Sequence, residues 1–340
     1  MGYYLDADGV NSLIAYWRGA GRTVYAPRLF PGGAAFSGQD CIRYGEIDRV
    51  EEVVFNRKSD YSFKECLLPV TQVLFDFNGD NHREIAPIKK PVIFLRSCDL
   101  HGLDRLDDIY LRNGGGDFYY RRLREQALFV LMGCAKAWED CFCVDMGSNL
   151  SRNYDLSIDP DENGNGFLLD CRNAPLDSVL AGLAARNGRE LAVCPRSVSE
   201  TPTRVRLPEE LEAGLDQSPL WDEYDSRCIN CGRCNFVCPT CTCFSMQDLS
   251  YSENAANGER RRVWSSCMVD KFSDVAGGRS YRKKNGQRMR FKAMHKVRDH
   301  KKRFGHHMCV GCGRCDAACP EYISFSHIIN RLGAEVKHER

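Results

Sequence analysis

The feature that most constrains this chain is a short cysteine pattern that occurs twice, as CINCGRCNFVCP from Cys228 to Pro239 and as CVGCGRCDAACP from Cys309 to Pro320. Each copy reads C-x2-C-x2-C-x3-C-P. With that spacing three thiolates wrap three corners of an iron-sulfide cube, while the fourth cysteine, followed by proline, reaches a neighbouring cube. Two copies imply two 4Fe-4S clusters with crossed ligation: Cys228, Cys231, Cys234 and Cys319 for one, and Cys309, Cys312, Cys315 and Cys238 for the other. The residues in between agree. Gly232 and Gly313 let the backbone approach a bulky group or take positive φ, and Pro239 and Pro320 turn the chain away after the last ligand. Ile229, Phe236, Val237 and Val310 keep water out. A structural zinc site, the plain alternative, closes with four ligands usually drawn from two separated pairs rather than from one short run.

A length of 340 residues accommodates about two domains. Nineteen cysteines would mark a disulfide scaffold in a short secreted chain, but here the chain is long and no basic segment followed by an apolar run opens it. The thiols are therefore expected to be reduced and the protein cytoplasmic. No apolar stretch approaches the ~20 residues that span a bilayer, so no membrane anchor is expected. The formal net charge of +1 counts every cysteine as neutral. An oxidised 4Fe-4S core with four thiolates carries about −2, so the loaded protein should be acidic overall and its basic segment a local feature.

Taken in order, Val10, Leu13, Ile14 and Trp17 fall on one face of a helix ending near Gly19 and Gly21. Apolar segments at Val53 to Phe55, Val73 to Phe77, Val92 to Leu95 and Leu128 to Met132 read as strands. A helix through Leu103, Leu106 and Tyr110 between the last two makes a β-α-β unit with parallel strands. Asn163-Gly164-Asn165-Gly166 joins two further strands as a hairpin. Leu176, Val179, Leu180 and Leu183 form another helix, closed by Asn187-Gly188. Residues 1–200 thus read as an α/β domain and residues 201–226 as a connector with a short helix near Glu209 to Leu215. In residues 227–340, Trp264, Cys267, Met268, Phe272 and Val275 read as one helical face and Phe325, Ile328, Ile329 and Leu332 as another. The expected class is α+β, an N-terminal α/β domain followed by an all-helical dicluster domain, which in its two widely spaced motifs resembles the α-helical ferredoxin fold.

Four more cysteines invite a third 4Fe-4S cluster: Cys98 in FLRSCDL, Cys134 in VLMGC, and Cys141 with Cys143 in WEDCFC. Cys98 and Cys134 lie just past expected strand ends, where ligands gather in open α/β sheets, and the Cys141-x-Cys143 loop supplies two more thiolates. Asp99 and Asp140 are candidate substitutes for one of them. The plain alternative is four small buried hydrophobes. Cys241, Cys243 and Cys267 are placed near the dicluster ligands, and Cys41, Cys66, Cys171 and Cys194 in the core.

From Arg279 to Arg303 lysine and arginine alternate with few acids. Beside anionic clusters such residues stabilise a reduced state or steer an acidic partner, and a nucleic-acid interface is the weaker reading. His306 and His307, just before Cys309, are candidate hydrogen-bond donors to a cluster. No G-x-G-x-x-G follows a strand and there is no P-loop, so no recognisable motif binds a nucleotide, flavin or nicotinamide. Clusters without a substrate site describe a wire, with no catalytic residues.

SCDLHGLDRLDDIYL, CAKAWEDCFC, CPTCTCF, RVWSSCMVDKFSDVAGG and CVGCGRCDAACP together resemble the iron-sulfur electron-transfer subunit of the anaerobic sulfite reductases and, more distantly, the iron-sulfur β subunits of sulfhydrogenase-type hydrogenases. The resemblance implies an electron-transfer subunit that relays electrons from a flavin and NAD(P)H-binding subunit to a sirohaem subunit reducing sulfite to sulfide. The rivals are an iron-sulfur nucleic-acid-binding protein and a hydrogenase β subunit.

Overall fold

The computed structural model describes residues 1–34, 38–79, 81–84, 90–207, 211, 213–251, 253 and 256–338. β1 (Gly2–Leu5) runs into α1 (Ala7–Gly19), whose start is set by the Asp6 carboxylate accepting from the Gly9 amide at 2.7 Å. There follow β2 (Thr23–Phe30), β3 (Cys41–Glu46), β4 (Thr71–Asn78), β5 (Asn81–Glu84) and β6 (Pro91–Leu95). Next come α2 (Ser97–Tyr110), α3 (Phe118–Gln126), β7 (Leu128–Met132), β8 (Leu156–Pro160), β9 (Phe167–Cys171), α4 (Ala174–Asn187) and β10 (Gly188–Glu190). Eight strands form one mixed sheet in the order β10-β1-β9-β8-β7-β6-β2-β3. Its centre, β8-β7-β6-β2, is parallel, and the flanking pairs are antiparallel.

Alternation along β6 shows why the sheet is covered on both faces. Val92 and Phe94 pack with Val10, Leu13, Ile14 and Trp17 of α1 and with Leu176 and Leu180 of α4. Ile93 and Leu95 pack with Leu100, Leu103 and Leu106 of α2 and with Tyr120 of α3. All five residues of the strand are buried, the continuous apolar run typical of a central parallel strand. Each such side chain contributes about 1.5–3 kcal/mol by leaving water. Among the expected elements, α1, α2, α4, the parallel β6-β7 pair and the β8-β9 hairpin form as read. Val53 to Phe55 is not a strand, because it follows a 3-10 turn at Val50–Glu52. Glu209, Glu210 and Glu212 of the expected connector helix lie outside the described residues, and Ala213–Gln217 form a 3-10 turn.

The rest of the chain holds α5 (Glu223–Arg227), α6 (Arg233–Phe236), β11 (Phe244–Ser250), β12 (Asn257–Trp264) and α7 (Asn285–Met294). A π-helical turn at His295–Asp299 leads into α8 (His300–Phe304), then α9 (Arg314–Ala317) and α10 (Phe325–His338). The expected all-helical dicluster domain is therefore wrong. β11 and β12 form an antiparallel sheet in the order β11-β12-β4-β5, and a two-residue ladder pairs Asp274–Val275 with Arg279–Ser280. Trp264 ends β12, so the helical face assigned to Trp264 through Val275 does not exist. The physical reason is non-local. β12 takes its second partner, β4, from residues far earlier in the chain, and Lys64 lies with its ammonium 4.2 Å from the centre of the Trp264 ring.

Candidate metal centres

The two cysteine loops fold alike. In the first, Asn230 and Gly232 have φ of 60° and 71°; in the second, Gly311 and Gly313 have φ of 63° and 69°. Asparagine is among the residues that tolerate this left-handed conformation, but Gly311 has a further requirement. A Cβ there would lie 2.6 Å from the Phe142 carbonyl carbon, and one on Gly313 would lie 2.1 Å from the Asp140 carbonyl oxygen. The second loop is thus pressed against the WEDCFC segment. The Phe142 amide donates to the Gly311 carbonyl at 2.9 Å, and Ser148 Oγ donates to the Val310 carbonyl at 2.5 Å.

Two adjoining cavities lie at these loops. One, with about 480 Å³ of empty space, is lined by Cys228, Cys231, Cys234, Cys315 and Cys319 together with Met268, Met289 and Ile328. The other, about 350 Å³, is lined by Cys234, Cys238, Cys309, Cys312 and Cys315 together with Phe142 and Val310. Cys234, Cys315, Lys292 and Phe325 border both. The first cavity reaches the surface, where Cys231 is exposed and Ile229 is 55% exposed; Cys309 and Cys312 of the second are buried.

Of three buried lysines that sequence reasoning did not single out, Lys292 borders both cavities and Lys296 the second. Lys64, Lys292 and Lys296 are all buried, and none of them pairs with a carboxylate among the described residues. Lys64 Nζ donates to the Asn235 and Cys241 carbonyls at 2.9 and 3.1 Å, and Lys296 Nζ to Thr240 Oγ1 at 2.8 Å. A buried ammonium without an anion costs several kcal/mol. At Lys292 and Lys296 the nearby groups are cysteine sulfurs, whereas at Lys64 burial wins and lowers the pKa. Burial drives the Lys292 ammonium towards losing its proton, but Cys234 and Cys315 outweigh it and hold its pKa well above the ordinary value. Lys296 is likewise raised, against burial, by Cys238, Cys241 and Cys309. Cys238 is held well below the usual thiol range by a hydrogen bond with Cys241 and then by the Lys296 and Lys64 charges. Burial pushes Cys309 up to about 12 and Cys315 well up. Eight thiols, four of which (Cys228, Cys309, Cys312 and Cys315) are pushed up by burial in the protein alone, set beside buried cations, fit the negatively charged cores that C-x2-C-x2-C-x3-C-P loops hold. The signal for the cations was present in the sequence: Arg288, Lys292, Lys296 and His300 recur every fourth residue and are buried, interleaved with buried Met289, Ala293 and Val297.

The other four candidate cysteines sit where β6 and β7 end. Cys98 is in the first turn of α2 after β6, and Cys134 follows β7. The segment carrying Cys141 and Cys143 lies on them and on the second loop. Burial pushes Cys143 up to about 12, with Cys141 and Cys134 adding to it, and burial also raises Cys134 and Cys98. Lys58 Nζ donates to the Cys312 carbonyl at 2.7 Å and lies 3.6 Å from Cys141 Sγ. Of the proposed substitutes, Asp99 has both oxygens bonded by Arg314, and burial raises the Asp140 carboxyl. Cys267 Sγ accepts from Asn235 Nδ2 at 3.1 Å, next to Cys243. Cys41 and Cys171 are buried, but Cys194 is exposed rather than a core residue. His306 and His307 bond to Asp108 and to the Val297 carbonyl, respectively.

Paired cysteine loops of matched backbone around adjoining cavities describe a two-cluster iron-sulfur protein, and residues 227–323 match the family model for a 4Fe-4S dicluster domain. Over 310 residues the chain is 27% identical to the Sulfhydrogenase 2 subunit beta of Pyrococcus furiosus, a match covering 86% of this chain and 90% of that protein. No solved structure matches the chain. It is an iron-sulfur electron-transfer protein related to the sulfhydrogenase β subunit. No helix among the described residues is long and apolar enough to cross a membrane.

Proposed function

We propose that this chain is the electron-relay component of an oxidoreductase complex, passing electrons from a flavin and NAD(P)H-binding subunit to a sirohaem subunit that reduces sulfite. The observation that carries the relay is the pair of buried lysines, Lys292 and Lys296, at the two thiol-lined cavities, without a carboxylate partner among the described residues. In this reading Cys228, Cys231, Cys234 and Cys319 hold one 4Fe-4S cluster and Cys238, Cys309, Cys312 and Cys315 the other, in support of which each set borders a single cavity. Cys98, Cys134, Cys141 and Cys143 hold a third. When bound, such clusters supply one-electron storage. The protein's part is to hold them and to set their surroundings: Lys292 and Lys296 offset negative charge, Met268, Met289 and Ile328 exclude water, and exposed Cys231 and Ile229 mark the face where a redox partner approaches.

The sulfite-reducing partner rests on the resemblance of the sequence to the electron-transfer subunit of the anaerobic sulfite reductases. A hydrogenase complex is the second reading, favoured by the similarity to the sulfhydrogenase β subunit. The nucleic-acid reading is the weaker one: Arg288, Lys292 and Lys296 of the basic segment are buried, while Lys283, Lys284, Lys302 and Arg303 remain exposed. Anaerobic purification of the tagged chain from its own cells tests the proposal. Co-purification with a flavoprotein and a sirohaem protein, with sulfite-dependent NAD(P)H oxidation, is expected. A nickel-containing partner and hydrogen-dependent reduction would replace sulfite by hydrogen, and stoichiometric flavin or haem on the isolated chain would overturn the relay.

A further inference from the structure

We propose that Asp108, His300 and His306 form a binding site for one divalent cation of the zinc class, tying α2 to the segment that leads into the second cysteine loop. Their ligand atoms all lie within 4.8 Å of one another, the only such group of three or more metal-binding side chains among the described residues. His306 Nε2 is 2.7 Å and His300 Nε2 3.4 Å from Asp108 Oδ2.

His300 is the decisive residue. Its Nδ1 lies 2.9 Å from the His306 carbonyl oxygen, which can only accept, so Nδ1 carries the proton. In the neutral ring Nε2 then presents a lone pair. That atom is completely buried, makes no hydrogen bond, and faces a carboxylate oxygen that also only accepts. Two acceptors held face to face in the interior need something positive between them, either a second proton or a cation. The arrangement matches a metal ligand: a ring whose other nitrogen is fixed on a backbone carbonyl. The carboxylate is prepared in the same way. Arg112 Nε and NH2 occupy Asp108 Oδ1 at 2.8 and 2.6 Å, which orients Oδ2 towards the two imidazoles.

The separation of His300 from Asp108 fits the ion. Two donors at about 2.0–2.1 Å from a tetrahedral zinc lie roughly 3.3–3.4 Å apart, the His300 separation; His306 needs to move by roughly 0.6 Å. The His306 side chain is 38% exposed, so water can reach the fourth position. Asp104 and Asp108 offset the charge of Arg105, while Arg112 rests on Asp108 and Arg124 on Asp107. Two imidazoles and a carboxylate with no thiolate suit Zn²⁺ better than Mg²⁺ or Ca²⁺.

The test uses the full-length, cluster-loaded chain, treated with a mild chelator, dialysed anaerobically against zinc chloride, and analysed by elemental analysis and zinc X-ray absorption. One zinc per chain is expected, with only nitrogen and oxygen at about 2.0–2.1 Å. His306→Ala, which alters a half-exposed side chain, and Asp108→Asn should each weaken it by about tenfold or more with iron content unchanged. Three results would overturn the site: no zinc bound, zinc with sulfur neighbours at about 2.3 Å, or unchanged binding by His306→Ala.

Discussion

Arg314, inside the second cysteine loop, donates from NH1 to Asp99 Oδ1 at 2.7 Å and from NH2 to Asp99 Oδ2 at 3.0 Å, and both residues are buried. Its Nε and NH2 also bond to the Ser59 carbonyl and hydroxyl. This bidentate pair joins the first turn of α2 to the loop holding Cys312 and Cys315. Removing one partner leaves an uncompensated charge in the interior, so Asp99→Ala should cost roughly 3–5 kcal/mol. Denaturant unfolding of the loaded protein measures this. The double substitution Asp99→Ala with Arg314→Met should recover much of the loss, and an Asp99→Ala protein as stable as the parent would show the pair to be idle.

Lys292 borders both cavities, and its charge favours whichever state of a nearby cluster is more negative. Lys292→Met should therefore make at least one cluster harder to reduce, by roughly 60 mV, a tenfold change in a one-electron equilibrium. A redox titration followed by electron paramagnetic resonance checks it. Unchanged potentials would mean that the ammonium has another counterion.

Crossed ligation makes Cys319 the partner of Cys228, Cys231 and Cys234, with which it lines a cavity. Cys319→Ala should impair that cluster and spare the one on Cys309, Cys312 and Cys315. Spectra that resolve the two clusters decide it, and the reverse pattern would return Cys319 to its own loop.

The third cluster is tested in the intact chain. The parent should hold about twelve irons and Cys141→Ser about eight, with both dicluster signals retained. Equal iron in the two proteins would leave Cys98, Cys134, Cys141 and Cys143 as core residues.

His295 is kept neutral by burial and then by the adjacent Lys296, which lower its pKa from 6.5 to about 4. A histidine with a lower pKa folded than unfolded binds more protons when unfolded. Its contribution is complete above about 6.5 and is lost as pH falls towards 4, amounting to about 3 kcal/mol. Thermal midpoints of the parent and of His295→Gln across that window should converge as pH drops, since acid loss of iron is common to both. Parallel curves would refute the shift.

Much of this protein is legible in its sequence because the signals are local. Helical spacing placed α1, α2, α4 and α10, turn residues placed the β8-β9 hairpin, and the cysteine spacing named the metal chemistry. Local spacing failed where the partner is distant. β12 pairs with β11 on one side and with the distant β4 on the other, so residues read as a helix became the end of a strand and a turn.

The two cysteine loops show where local pattern stops. Both contain C-G-R-C, yet Arg233 and Cys231 are exposed while Arg314 and Cys312 are buried. Their sequences determined the backbone turns and the ligand spacing. Which loop meets solvent was decided by the tertiary structure, because only the second is covered by the 140–148 segment and meets a carboxylate, Asp99, that can accompany its arginine into the interior. Burying that charge depends on residues more than two hundred positions away, and no pattern within the loop encodes them.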